Sequence, residues 1–219
     1  GEVMGLADAS VITEVRTGAV SGVATDLLAG KDAHHLAVIG AGAQGRSHLA
    51  AMMEVRDIQK VTVYDQRREA AKKYQKEMEE KYKVPVMVCD SVEEAVKGAE
   101  IICTVTPSKE PYLKAEWIAP GAHINAVGAF TPNTREIESS LMAKAKLYAD
   151  QVEAMKKECG EYLIPKNEGL FGEEHITGSI GGILAGKVPG RENDTEITLF
   201  DALGLAVEDV ACGRFLCRE

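Results

Sequence analysis

The sequence predicts an α/β fold built on a doubly wound, mostly parallel sheet. Short runs of Val, Ile and Leu without polar alternation recur at 36–39, 61–64 and 101–105, and strands of this kind are buried on both faces. Stretches with apolar residues at helical spacing separate them, and that succession gives right-handed crossovers with helices on both sides of the sheet. A glycine-rich turn, Gly40-Ala41-Gly42-Ala43-Gln44-Gly45, directly follows the first of these runs.

Taken in order, residues 12–29 read as a helix with Thr13 as N-cap. Val15, Ala19, Val23 and Leu27 share one face, and Gly30 stops it. Strand 36–39 leads into helix 44–55, and strand 61–64 ends at Asp65. Helix 69–82 places Ala71, Tyr74, Met78 and Tyr82 on one side and the Glu77–Lys81 pair on the other. Strand 84–89 tolerates Pro85 near its start. Ser91 and Glu94 form a capping box for a helix through Val96. Strands follow at 101–105, 123–127 and 146–149. After Asp150 the pattern weakens to a helix over 178–185, a loop over 189–194, a strand over 196–200 and a helix from about Leu203.

A length of 219 residues suits one large domain, or one domain with a fragment of another. The net charge of −9 argues against nucleic acid and anionic membrane surfaces, which both call for basic patches. No apolar run is long enough to span a bilayer. Cys89, Cys103, Cys159, Cys212 and Cys217 are odd in number and lack CxxC spacing, so neither a disulfide framework nor a zinc site is expected, and a reducing cytoplasm is the simplest setting. Residues 1–7 read as the middle of a strand, so the sequence is expected to lack an N-terminal portion.

The glycine turn carries the chemistry. It follows a buried strand, opens a helix, and is answered by Asp65 at the end of the next strand, about 20 residues beyond Gly45. This is the fingerprint of a Rossmann-type dinucleotide-binding unit. Gly40 permits the tight turn, Gly42 lets the pyrophosphate approach the backbone, and Gly45 lets the helix pack against the strand. The helix N-terminus offers N–H groups and partial positive charge to the phosphates. Asp65 accepts ribose hydroxyls and repels a 2′-phosphate, which favours NAD(H). Arg67 and Arg68 keep NADP(H) open, because a nearby arginine accommodates that phosphate. Ligands of open α/β sheets lie beyond the carboxyl ends of the strands. Thr104-Val105-Thr106 and Val127-Gly128-Ala129 are therefore expected to edge the nicotinamide half.

Further segments make the resemblance specific. Arg16-Thr17-Gly18-Ala19, the glycine turn, Tyr64-Asp65-Gln66-Arg67, His123 through Gly128, Pro132 with Arg135-Glu136, and Phe200 through Gly204 together resemble the ornithine cyclodeaminase/mu-crystallin family over nearly the whole chain. The resemblance implies a Rossmann domain (here 17–206) and remnants of a second substrate and dimerisation domain. Those remnants are 1–16 and a C-terminal helix, 207–219, that returns toward the N-terminal portion. It implies a homodimer, a small amino or imino acid as substrate, and Arg16 as the holder of the substrate carboxylate, a task its planar fork suits. The catalytic lysine that the resemblance assigns to the N-terminal domain has no counterpart in the sequence, so no catalytic residue is identified.

Departures from the family pattern narrow the activity. Cyclodeaminases are similar to one another in an acid/base aspartate where Phe130 stands, Thr134 replaces a lysine, and Ala202 replaces a common serine. The pattern around Phe130, Pro132 and Arg135-Glu136 resembles members that reduce cyclic imines such as pyrroline-2-carboxylate, or that dehydrogenate amino acids. Ornithine cyclodeamination, a lyase reaction recycling NAD, and nucleotide-dependent binding without catalysis, as in mu-crystallin-like relatives, are the alternatives. His34, His35, His48, His123 and His175 show no ligand spacing, so no metal is expected. Asp150 and Asp201 end strands, where a structural role is expected.

Overall fold

The apolar runs become the strands of one sheet. In the computed structural model, which describes Val3, Gly5, Leu6 and residues 8–217, eight strands pair in parallel in the order β3-β2-β1-β4-β5-β8-β6-β7. They are β1 (His35–Ile39), β2 (Lys60–Tyr64), β3 (Val86–Val88), β4 (Ile101–Thr104), β5 (His123–Ala126), β6 (Lys146–Ala149), β7 (Ile176–Ser179) and β8 (Thr198–Asp201). Strands β1, β4, β5 and β8 are buried throughout, as a sheet covered on both faces requires.

The helices are α1 (Ala9–Leu28), α2 (Ala43–Val55), α3 (Arg68–Tyr82), α4 (Val92–Val96), α5 (Ser139–Lys144), α6 (Val152–Glu158), α7 (Gly160–Asn167), α8 (Ile180–Leu184) and α9 (Ala206–Leu216). Along β1, Leu36 and Val38 join one apolar cluster with Leu49 and Met52 of α2 and Tyr74 of α3, while Ala37 and Ile39 join another with Leu141 of α5 and Tyr162 of α7. This is the two-residue period of a strand feeding two cores. A third cluster packs Ala24 and Leu28 of α1 against Tyr148 and Phe200. The strand order reverses between β1 and β4, so a crevice opens there at the carboxyl ends.

Three expectations are corrected. Helix α1 begins at Ala9, not at Ile12, because Asp8 caps it by accepting the Ser10 N–H at 2.8 Å; Thr13 lies inside the helix. The weakly patterned stretch after Asp150 holds α6 and α7, the latter running through Pro165. The helix expected over 178–185 begins two residues late, because its first two residues end a strand. Residues Ile176–Ser179 pair with β6, and only Ile180–Leu184 are helical, because a half-buried edge strand needs no Val/Ile run. The expected boundary between residues 16 and 17 falls inside α1, and that between 206 and 207 in the first turn of α9.

Candidate functional site

The glycine turn shows why each glycine is required. Gly40 has a φ of 113°, and a Cβ there would stand 2.7 Å from the Val105 carbonyl oxygen. A Cβ on Gly45 would stand 2.2 Å from the Gly40 carbonyl oxygen, so α2 packs onto the turn only with glycine. Gly42 has open space around its Cβ position and is the N-cap of α2, with no side chain bonding the first-turn N–H groups. That exposed, uncapped helix end fits a pyrophosphate.

Other side chains lock the turn. Asp65, at the end of β2, accepts the Ala41 N–H at 2.9 Å through Oδ2 and the Arg67 N–H at 2.8 Å through Oδ1. Its side chain is 14% exposed, whereas that of Arg67 is 80% exposed and reaches Asp65 only at 3.7 Å. Arg46 donates to the carbonyls of Ala41 and Gly42 and pairs with Glu77 at 2.6 Å, which holds the Glu77 carboxyl below its usual range. Tyr74 donates to the Gly45 carbonyl at 3.1 Å.

Beside the turn lies a cleft of about 450 Å³. Thr13, Arg16 and Thr17 of α1 form one wall with Gln44 of α2. Val105, Thr106 and Pro107 beyond β4, and Val127, Gly128 and Phe130 beyond β5, form the floor and far side; Ala202, Leu203 and Gly204 beyond β8 close it. The buried Gln44 Oε1 has no hydrogen-bond partner among the described residues. The structure brings Arg16, Gln44, Val105, Thr106, Val127 and Gly128 together around this cleft, with the glycine turn and Asp65 adjoining. Thr104 and Ala129 are buried beneath these loops and do not line the cleft. A larger hollow of about 750 Å³ follows the α1–α2 groove. Its walls contain no strand end, so it lies off the edge where α/β sheets hold ligands.

Arg16 is not idle. Its Nη1 pairs with Glu208 and its Nε with Asp209, each at 3.1 Å, and its guanidinium lies against Gly204. Two carboxylates of α9 thus occupy the fork expected to face a substrate carboxylate. Asp150 accepts the N–H groups of Gly204 at 2.7 Å and Gln151 at 2.6 Å, fixing the chain after β8; burial pushes its carboxyl up. Asp201 is buried and accepts the Cys159 thiol at 3.3 Å. Burial pushes Asp201 well up, and burial with Asp201 and Glu161 beside it pushes the Cys159 thiol up too.

Sequence reasoning missed Glu136. It is fully buried, and its carboxylate accepts the Thr106 N–H (2.8 Å), the Thr106 hydroxyl (2.7 Å), the Tyr112 hydroxyl (2.6 Å) and the Gly128 N–H (2.8 Å). Burial pushes its pKa up and the hydrogen bonds pull against that. Its only sequence signal is its place after Arg135 in the motif, since a glutamate in a loop has no periodicity to reveal it.

A parallel sheet reversing between β1 and β4, a glycine turn between β1 and α2, and an acid closing β2 define a Rossmann-type protein. The chain belongs to the ornithine cyclodeaminase/mu-crystallin family, whose pattern matches residues 1–218. It is 41% identical over 217 residues to a Delta(1)-pyrroline-2-carboxylate reductase of Bacillus cereus, covering 99% of this chain and 66% of that protein. Its structure resembles that of Thermococcus litoralis Delta(1)-pyrroline-2-carboxylate reductase in complex with NADH and L-proline, with a TM-score of 0.94 and 41% identity over 96% of this chain and 65% of that one. An archaeal alanine dehydrogenase dimer with bound NAD gives a TM-score of 0.91 and 39% identity, covering 96% of this chain and 65% of that one. The chain thus spans just under two thirds of the length of these relatives. Among the described residues no helix is long and apolar enough to cross a membrane.

Proposed function

We propose that this chain is the nucleotide-binding part of an NAD(H)-dependent enzyme that exchanges hydride at the α-carbon of a small amino or imino acid, with pyrroline-2-carboxylate and alanine as the leading substrates. The observation that carries it is the cleft that joins an uncapped helix end beside Asp65 to the β4 and β5 exit loops under Arg16. The likeness to reductases and a dehydrogenase that bind NADH or NAD supports the same reading.

The bound nicotinamide supplies or accepts the hydride. The backbone from Gly40 through Gly45 holds the pyrophosphate. Asp65 receives the adenosine ribose hydroxyls, while Arg67, turned to solvent, leaves NADP(H) as a weaker ligand. Val105, Thr106, Val127 and Gly128 shape and dry the reacting end, with Thr104 and Ala129 supporting them from beneath. Arg16 turns from Glu208 and Asp209 to the substrate carboxylate, exchanging one anion for another. Phe130, 65% exposed near the cleft mouth, cannot move a proton, which weighs against cyclodeamination. Residues 1–16 and 207–219 belong to a second, dimerising unit of the whole protein, a homodimer of the cytoplasm.

Titration of the chain with NADH and NADPH, followed by nicotinamide fluorescence, tests the cofactor. NADH is expected to bind at least ten-fold more tightly, and Asp65→Ala to abolish that preference. Equal affinity in the unsubstituted protein refutes the role of Asp65. NADH consumption with pyrroline-2-carboxylate by the full-length polypeptide tests the activity. Tight NADH binding without turnover of any imino or amino acid replaces the enzyme with a binding protein.

A further inference from the structure

One buried side chain braces the floor of the cleft. Thr106 belongs to the loop leaving β4 and Gly128 to the loop leaving β5; the Val127 and Gly128 N–H groups donate to the Thr104 carbonyl at 3.0 and 3.2 Å, but no backbone hydrogen bond joins Thr106 to Gly128. Both of these residues are also fastened to Glu136. Oε1 accepts the N–H and hydroxyl of Thr106 at 2.8 and 2.7 Å, and Oε2 accepts the Gly128 N–H at 2.8 Å. Tyr112 adds a third bond to Oε1 at 2.6 Å. The Glu136 backbone is itself held in place. The Glu136 and Ile137 N–H groups donate to Glu161 at 2.5 and 3.2 Å, and the Glu136 carbonyl accepts the N–H groups of Tyr112 and Leu113 at 2.8 and 2.9 Å. The fit is close: a Cβ on Gly128 would stand 2.7 Å from the Glu136 carboxyl carbon.

We infer that Glu136 is a positioning residue that sets the spacing of the Thr106 and Gly128 loops and so shapes the nicotinamide-binding end of the cleft, independently of the adenosine end. This rests on the reading of the cleft as a dinucleotide site. The glycine turn and Asp65, which would hold the adenosine and pyrophosphate, make no hydrogen bond to Glu136. Four donors converge on two oxygens, and only a carboxylate can accept all of them. In Glu136→Gln the amide oxygen can replace Oε1, but the amide NH2 then faces the Gly128 N–H, donor against donor. The substitution thus disturbs the β5 loop and leaves the Thr106 contacts in place.

The test compares ADP-ribose, which lacks the nicotinamide, with NADH on the same protein. Glu136→Gln is expected to weaken NADH at least ten-fold while ADP-ribose stays within two-fold of the unsubstituted chain. Tyr112→Phe, which removes one donor of four, is expected to weaken NADH about three-fold and to spare ADP-ribose. It keeps the test open if the first variant does not fold. Asp65→Ala, the control, weakens both ligands. Equal losses for both ligands in the Glu136 and Tyr112 variants make the network a general fold element and overturn the inference, as does no change in either. An unsubstituted chain that binds neither ligand removes the dinucleotide reading and the inference together. One that binds both, with NADH unaffected by either variant, removes the inference alone.

Discussion

Lowering the pH should loosen the helix pair that walls the cleft, through His48. This imidazole is fully buried on α2, with Nδ1 2.7 Å from the Gln44 carbonyl and Nε2 3.0 Å from the Ser21 hydroxyl of α1. Burial pushes its pKa down to about 4, from 6.5. The folded protein therefore keeps His48 neutral, while the unfolded chain takes up a proton below about pH 6.5. The stability this group contributes is present above that pH and is lost as the pH falls toward 4. At about 1.4 kcal/mol per pKa unit, the whole loss is ~3 kcal/mol, of which ~2 kcal/mol has gone by about pH 5. His48→Gln keeps a neutral hydrogen-bonding side chain and cannot titrate. Urea denaturation of both proteins at pH 7.5 and 5.0 isolates the effect. The buried His123, pushed down to about 3, and the carboxyls pushed up by burial, Asp150 and Glu136, are common to both. The variant is expected to lose ~2 kcal/mol less than the unsubstituted chain on acidification. Equal losses refute the assignment.

Gly45→Ala forces a Cβ to within 2.2 Å of the Gly40 carbonyl oxygen. Shifting α2 to relieve it costs on the order of 1–3 kcal/mol, and the affinity for ADP-ribose should fall more than ten-fold; unchanged affinity in calorimetric titration counts against the tight turn. Arg56, buried, donates to the carbonyls of Thr25 (2.9 Å), Ala29 (3.1 Å) and Gly30 (2.9 Å), closing the C-terminal end of α1. Arg56→Met should cost ~3 kcal/mol and lower Tm by about 6–12 °C in scanning calorimetry; a shift under about 2 °C contradicts the capping role. Glu208→Gln with Asp209→Asn relieves Arg16 of both anions. In the full-length polypeptide it should lower KM for the imino acid several-fold; a raised KM means that the pair orients Arg16 rather than competing for it.

The elements legible in the sequence are those whose residue types answer a local demand. Gly40 and Gly45 are legible because no other residue fits a positive φ or a 2.2 Å approach, and Asp65 because it closes a strand at a set interval from the turn. Strands β1 and β4 are legible because burial on two faces leaves a nearly continuous apolar run, and β2 because its valines flank a single threonine. Strand β7 is not, since the half-buried Ile176–Ser179 carries a threonine, a glycine and a serine. Helix α7 hides behind Pro165. Arg16 is legible through its motif, but its partners lie 192 and 193 residues away, a pairing only the fold creates. Glu136 is the extreme case. Its importance lies in donors from residues 106, 112 and 128, which no spacing along the chain announces.

The bond from the Ala41 N–H to Asp65 gives that carboxylate a second duty beside the one proposed for it. One oxygen clamps the glycine turn to the end of β2, while in the proposed dinucleotide reading the same group receives the ribose. Charge selection and loop order therefore share a single residue, and a substitution meant to relax one unfastens the other. A change of coenzyme preference in this scaffold calls for a compensating pair. An asparagine at 65 would keep the Ala41 clamp through its single carbonyl oxygen while its amide NH2 met the Arg67 N–H, and the solvent-facing Arg67 side chain would serve as the ready-made anchor for an added phosphate. A lone alanine at 65 would flatten discrimination by weakening both coenzymes, and only the ratio of the two affinities, never either one alone, would record which duty had been lost.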